Sequence, residues 1–278
     1  DLHSFPTRRS SDLEPGNYKS TSMNLHYAAK DALDMVTLFQ SKKTAYRNIH
    51  TLLICNEDAT KEKIREAKKL LLQSKLNDKV IVFYAGHGLV SDSLDYYLGL
   101  QDVDFIHPEK NGLLFEELET LLQDIPARNK VLLVDACHSG EIDKNEMAIV
   151  DGNNLLKGSV KFRNIGNKKL VKRQIGLESS FELMKKIFVD TRRSTGANVI
   201  SSAGGAEYAW EGGAFKNGIF TYCVLTGLRE NKADLNKDGK IKLSEFAEYV
   251  QQQVMTLTKG MQTPTSRTEN FINDMEIW

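Results

Sequence analysis

A histidine and a cysteine stand just after two apolar runs in this sequence. The run 80–85 leads into His87, and the run 131–134 leads into Cys137. A thiolate attacks carbonyl carbons, and an imidazole takes up or delivers the proton that such a reaction moves. The pair therefore predicts nucleophilic catalysis by Cys137 with His87 as its base. His138 is a competing base, but adjacent side chains on an extended segment point to opposite faces.

The elements that must position this pair are short apolar strands alternating with amphipathic helices. The spacing of apolar residues predicts helices at 24–40, 61–73, 113–123, 181–187, 215–229 and 243–256. Strands are predicted at 51–55, 80–85, 131–134 and 198–202. This alternation is typical of a three-layer α/β/α sandwich with a mostly parallel sheet. In open sheets of this kind, ligands bind beyond the carboxyl ends of the strands, where the His and Cys stand.

Three motifs carry a resemblance to a known family. They read YAGHG at 84–88, VDACHSG at 134–140 and VISSAGG at 199–205. In this order they resemble the caspase-like cysteine peptidases, specifically their bacterial metacaspase-type branch, over about residues 16–228. The resemblance implies a Cys137–His87 dyad, with the backbone N–H groups of Gly88 and Cys137 as oxyanion donors.

Substrate preference is predicted from an acid beside the nucleophile. Asp135 stands two residues before Cys137, so in extended chain the two side chains share a face, and a carboxylate there favours Arg or Lys before the cut. Metacaspases and paracaspases cleave after basic residues, and the resemblance implies a second pocket acid on the first helix, matched by Asp31. An ordinary helix-surface acid is the alternative for Asp31. Glu211 is a further candidate.

A long basic connection separates two predicted strands. Residues 141–196 exceed the usual length of such connections, and no acid occurs between Gly158 and Leu177. In the family that this chain resembles, processing separates a large and a small subunit here. We hypothesise self-cleavage after a basic residue; a solvated basic loop is the alternative.

A second motif predicts a calcium site. The segment 234–245 fits the EF-hand pattern D-x-N-x-D-G-x5-E completely. Its oxygen ligands would come from Asp234, Asn236, Asp238, the backbone carbonyl of Lys240, and Glu245. We expect weak, structural Ca²⁺ binding, because no second loop is present and Lys242 adds positive charge. An empty loop held by Asx turns is the alternative.

Composition and the lack of certain motifs argue against several functional classes. The chain has 278 residues, with 37 basic and 37 acidic side chains, and this zero net charge argues against a nucleic-acid binder. No apolar run approaches the length of a membrane span. Neither of the common nucleotide-binding fingerprints occurs, so no organic cofactor is expected. The expected partner is a peptide or protein substrate.

The first 13 residues differ in character from the rest of the chain. Residues 1–13 resemble a translated sequencing-adapter fragment, with a natural disordered tail as the alternative. We expect residues 14–229 to form the peptidase domain, with 230–278 as a calcium-loop extension packed on it. The family's first strand would then be missing or replaced, leaving a gap in the sheet and poor solubility. A cytoplasmic location is expected, with an export signal upstream as an open alternative.

Two functional classes stay open at this stage. The first is an active cysteine endopeptidase, and the second is a catalytically silent caspase-like signalling or scaffold module that binds calcium. The presence of both His87 and Cys137 favours the enzyme.

Overall fold

The computed structural model describes residues 2–4, 19, 23–42, 46–136, 160–162, 195–202, 210–212, 215–267 and 274–278. Helices α1 to α5 are Ala28–Gln40, Lys61–Leu71, Phe115–Thr120, Ile219–Arg229 and Leu243–Leu257. Strands β1 to β6 are Leu2–Ser4, Ile49–His50, Lys79–Gly86, Gly88–Val90, Tyr96–Leu98 and Leu113–Leu114. Strands β7 to β12 are Asn129–Ala136, Val160–Phe162, Ala197–Ser201, Trp210–Gly212, Asn217–Gly218 and Thr265–Arg267.

A mostly parallel sheet forms the centre of the molecule. Within the described residues its six strands have the order β12-β9-β7-β3-β1-β2. Every neighbouring pair is parallel except β12 with β9. Strands β3 and β7 pair along their whole lengths. The predicted sheet type is therefore confirmed.

Helices cover this sheet on both faces, as the apolar runs of its central strands require. Ile81, Val131 and Leu133 pack with α1, α4 and α5 on one face. Val80 and Leu132, whose side chains point the other way, pack with α2 and α3. The three-layer α/β/α sandwich is thus confirmed. No helix in the described part of the chain is both long and apolar enough to cross a lipid bilayer.

Several predicted boundaries differ from the structure. Helix α1 begins at Ala28 rather than at residue 24, whereas α2 begins directly after its predicted cap, Thr60, whose hydroxyl accepts the N–H of Lys63. Residues 51–55 form no strand; the short strand nearby is β2. The helix predicted at 181–187 lies outside the described residues.

The strand position beside β3, which the sequence predicts to be missing or replaced, is held by residues from the first segment of the chain. Leu2–Ser4 pairs in parallel with both β2 and β3. Only three residues take part. Strand β1 therefore fills the interior position next to β3 along only part of the length of β3.

Candidate active site

The catalytic candidates lie at the ends of two neighbouring strands. Gly86, the last residue of β3, pairs with Ala136, the last residue of β7. The positions that follow are His87 and Cys137, and adjacent strands lie only about 4.8 Å apart. Cys137 itself lies outside the described residues. The strand register therefore aligns the residues that precede the two candidates, Gly86 and Ala136.

One hydrogen bond fixes the tautomer of the neutral His87 ring. The side chain is buried, and its Nε2 atom lies 2.7 Å from the carbonyl oxygen of Met23. A carbonyl oxygen only accepts, so Nε2 must donate, and the basic nitrogen of the neutral ring is then Nδ1. His87 is thus held in the tautomer that can take a proton at Nδ1.

The loop that carries His87 is fixed on its other sides too. The His87 carbonyl accepts the hydroxyl of Tyr84 at 2.9 Å and the N–H of Gly99 at 2.8 Å. Gly88, the candidate oxyanion donor, begins β4 and pairs with Leu98 of β5. These bonds tie the end of β3 to the small antiparallel sheet beside it.

An aromatic ring packs against the histidine edge to face. The rings of Phe105 and His87 have centroids 5.3 Å apart and an interplanar angle of 84°. Phe105 is held by a turn in which Asp104 accepts the N–H groups of Ile106 and His107. Hydrogen bonding by Lys110 and by these two N–H groups lowers the pKa of Asp104 to about 2. The turn therefore keeps its charged acceptor at neutral pH.

The first candidate pocket acid, Asp135, is buried in β7 under the start of helix α4. Its Oδ2 atom accepts the hydroxyl of Thr221 at 2.6 Å and the N–H of Thr221 at 3.3 Å. Thr221 lies in the first turn of that helix, whose N-terminus attracts negative charge. The structure thus places Asp135 one residue before the end of its strand, with its carboxylate hydrogen-bonded to the first turn of α4.

The second candidate, Asp31, binds the same end of the same helix. Asp31 is fully buried on α1, and both of its carboxylate oxygens lie 3.2 Å from the N–H of Gly218. The side-chain amide of Asn217 donates to Asp31 at 2.9 Å and to Asp34 at 2.9 Å. The alternative of an ordinary surface acid is therefore wrong for Asp31.

The third candidate, Glu211, is linked to this group through the backbone. It lies in β10 and pairs with Gly218 in the antiparallel ladder between β10 and β11. Glu211 is therefore brought to the segment that binds Asp31. Its side chain lies outside the described residues.

The family model described as the caspase domain matches residues 14–275. The chain belongs to the caspase domain family. No curated protein matches this caspase domain. Among solved structures, it is similar to a protein from Geobacter sulfurreducens with a TM-score of 0.53 and 20% identity, covering 92% of this chain and 86% of the other. At that identity the likeness supports the fold alone.

Two further cysteines of this caspase domain are poor nucleophile candidates. Burial, with a smaller contribution from Asp58, raises the pKa of the Cys55 thiol to about 12. Burial and then Asp135 raise the pKa of the Cys223 thiol to about 12 as well. Because the thiolate is the reactive species, both thiols are inert at neutral pH.

The predicted calcium loop is well ordered by its own side chains. Asp234 accepts the N–H groups of Asp238 and Gly239, and Gly239 has a φ of 86°. Glu245 accepts the N–H of Asn236 at 3.0 Å and the N–H of Lys242 at 3.1 Å. In the described part of the chain, no group of three or more His, Cys, Asp or Glu side chains is placed to hold a metal ion. Both oxygens of Glu245 would have to be released for calcium to bind.

Sequence reasoning missed several groups that the site uses. The Met23 carbonyl and Phe105 come from distant segments, and no local pattern marks them. The start of α4 is easier to predict from the sequence, because Asn217-Gly218 before a run of apolar residues signals a helix start. Most of the basic connection 141–196 lies outside the described residues.

Proposed function

We propose that this caspase domain is a cysteine endopeptidase that uses Cys137 as nucleophile and His87 as base. The observation that carries the proposal is the register of β3 and β7, which pairs the residues before His87 and Cys137. The Met23 carbonyl supports it, because it leaves Nδ1 of His87 as the proton acceptor. In the reaction, the Cys137 sulfur attacks the scissile carbonyl carbon, and the thiol proton passes through His87 to the leaving amine as the C–N bond breaks. Water then hydrolyses the resulting thioester, which releases the acid product and restores the thiol.

We further propose that the enzyme cleaves after Arg or Lys. Asp31 and Asp135 are both fully buried, and among the hydrogen bonds that they accept are those from Asn217, Gly218 and Thr221 at the start of α4. A guanidinium or ammonium group that reaches them supplies the opposite charge and, for Arg, a planar fork of donors. Glu211 belongs to the same proposed pocket.

Reporter peptides test this preference directly. Peptides that end in Arg, Lys or Asp before the cleavable group are offered to the wild type and to Cys137→Ala. We expect turnover of the Arg and Lys peptides by the wild type only. Equal turnover by both proteins would contradict the assignment as an enzyme. Cleavage of the Asp peptide alone would contradict the proposed acidic pocket for Arg or Lys.

Three finer features belong to the same proposal. We propose that the enzyme is of the metacaspase type, that it acts in the cytoplasm, and that it cuts its own basic connection within 141–196. A Cys137→Ala protein that still splits into two fragments during purification would contradict self-cleavage. We also propose that the loop 234–245 binds Ca²⁺, supported by its ligand pattern and by the φ of 86° at Gly239.

A further inference from the structure

A buried serine from the third sequence motif, at 199–205, contacts the strand that leads to the nucleophile. Ser202 directly follows β9 and is fully buried. Its backbone N–H donates to the carbonyl oxygen of Val134 at 2.8 Å, and its hydroxyl donates to the carbonyl oxygen of Ala136 at 3.1 Å. Ala136 is the last residue of β7 and directly precedes Cys137. Ser202 thus holds two carbonyl groups at the end of the strand that leads to the candidate nucleophile.

This serine is held from its other side by a chain of buried hydrogen bonds. The side-chain amide of Gln262 donates to the carbonyl oxygen of Ser202 at 2.7 Å. The backbone N–H of Gln262 donates in turn to the hydroxyl oxygen of Thr258, just after α5, at 3.1 Å. All three residues are almost completely buried, and polar groups that are kept away from water retain the partners that they have. Ser202 therefore has little freedom to turn away from Ala136.

The Ala136 carbonyl shares a peptide unit with the backbone N–H of Cys137. Such a unit is planar, and in its trans form the C=O and N–H bonds point in opposite directions. The carbonyl points toward β9, on one side of β7, whereas β3 and the loop of His87 and Gly88 lie on the other side. The orientation of this carbonyl therefore determines the direction of the N–H that follows it.

We propose that Ser202 is a positioning residue for the oxyanion site, acting through the Ala136 carbonyl on the N–H of Cys137. The proposal rests on the proposed function, in which attack by Cys137 places negative charge on the scissile carbonyl oxygen. With the Ala136 carbonyl turned toward β9, the N–H of Cys137 faces the β3 side, where Gly88 supplies the other candidate donor. Donors that are oriented in advance stabilise this charge without reorganisation during the reaction. The hydroxyl of Ser202 also polarises the peptide unit, which strengthens its N–H as a donor.

The kinetic test removes the hydroxyl and keeps the backbone contacts of Ser202. In Ser202→Ala, the N–H that binds Val134 and the carbonyl that binds Gln262 are both retained. We expect kcat for an Arg-ended reporter peptide to fall about tenfold with KM within about twofold, because Ser202 acts indirectly on a donor whose outright loss costs about 100-fold or more. Ser202→Thr restores the hydroxyl and should recover most of the loss.

The matched control loses a buried hydroxyl near the opposite end of β7. Ser74 is buried, and its hydroxyl oxygen accepts the N–H of Ala127, two residues before β7 begins. Ser74→Ala should therefore lower stability in a similar way, while kcat stays within about twofold of the wild type. The proposal is overturned by an equal loss of kcat in Ser74→Ala, by an unchanged kcat in Ser202→Ala, or by a folded Ser202→Thr enzyme that is no more active than Ser202→Ala.

A second measurement follows the backbone amide of Cys137 and does not depend on peptidase activity. Labelling with ¹⁵N-cysteine gives one amide cross-peak for each of the three cysteines, and Cys137→Ala identifies the relevant one. We expect Ser202→Ala to shift this cross-peak and to leave the other two unchanged, because only the peptide unit before Cys137 loses its hydrogen bond. Ser74→Ala should leave all three unchanged.

The two measurements separate failure of this inference from failure of the proposed function. A wild type that cleaves no reporter peptide would contradict the peptidase, and the cross-peak would still decide whether Ser202 orients the peptide unit. A Cys137 cross-peak that stays in place in Ser202→Ala would overturn the positioning role even in an active peptidase.

Discussion

Asp31 and Asp135 bind the same helix N-terminus from two different layers of the fold. Asp31 on α1 accepts from Gly218, and Asp135 on β7 accepts from Thr221, three positions further along. Residues three apart at the start of a helix lie about 5–6 Å from each other. Two buried carboxylates therefore lie at the start of α4, and one of them, Asp135, belongs to the end of β7, two residues before Cys137 in the sequence.

Neutralising Asp135 should abolish the preference for basic substrates. In Asp135→Asn, the amide oxygen still accepts from Thr221, so the fold should be kept while the charge is lost. We expect kcat/KM for an Arg-ended reporter peptide to fall by at least about 100-fold, as for the loss of one partner of a buried charge pair. Asp34→Asn is the matched control, because Asp34 binds the same Asn217 and should lose less than about threefold. An Asp135→Asn enzyme that kept its full preference for Arg would contradict the pocket.

Phe105 should act as a positioning residue for His87. Phe105→Ala removes the edge-to-face contact and leaves the imidazole room to tilt. We expect kcat to fall about tenfold with little change in KM. Phe105→Leu should recover part of the loss. Ile106→Ala changes the exposed neighbouring side chain and serves as control; an equal loss there would show a general effect of the turn.

Thiol labelling should single out Cys137. The pKa values of Cys55 and Cys223 are raised to about 12, so only about one thiol in ten thousand is ionised at pH 8. Iodoacetamide at pH 7 to 8 should therefore modify one cysteine in the native protein, located by peptide mass spectrometry. Labelling of all three cysteines at equal rates would show that neither thiol is protected and that Cys137 is not activated.

Calcium should bind to the loop 234–245 weakly, with a Kd of about 0.1 to 1 mM, because Glu245 must first release two backbone N–H groups. Isothermal titration of the wild type with CaCl₂ gives the affinity without reference to peptidase activity. Glu245→Gln should remove the heat of binding, whereas Glu248→Gln on the exposed side of the same helix should not. A wild type without measurable heat would leave the loop as a set of Asx turns.

Much of this architecture follows from local patterns. The apolar runs before His87 and Cys137 predict two central strands, and both are found, each extended at its ends. Thr60 marks the start of α2 because its hydroxyl caps the helical turn that directly follows it in the sequence. The pairing of Gly86 with Ala136, the residues just before His87 and Cys137, follows from the ladder between two neighbouring parallel strands.

The remaining features depend on contacts between distant segments. The residues 51–55 have a β-favouring composition, but a strand needs a partner along its length, and β1 has only three residues. The Met23 carbonyl binds His87 across 64 positions of sequence, and a backbone group carries no sequence signature. Asp31 is buried and hydrogen-bonded to Asn217 and Gly218 of β11, which are distant in sequence, so its own sequence neighbourhood leaves its role ambiguous.

Hydrolysis of an Arg-ended reporter peptide by four proteins tests the dyad most directly. The wild type is compared with Cys137→Ala, His87→Ala and the matched control His138→Ala at equal concentration. We predict that the first two variants lose at least about 1,000-fold in kcat/KM, while His138→Ala stays within about threefold of the wild type. Retained activity in His87→Ala, or a loss in His138→Ala as large as that in Cys137→Ala, would contradict the assignment of His87 as the base.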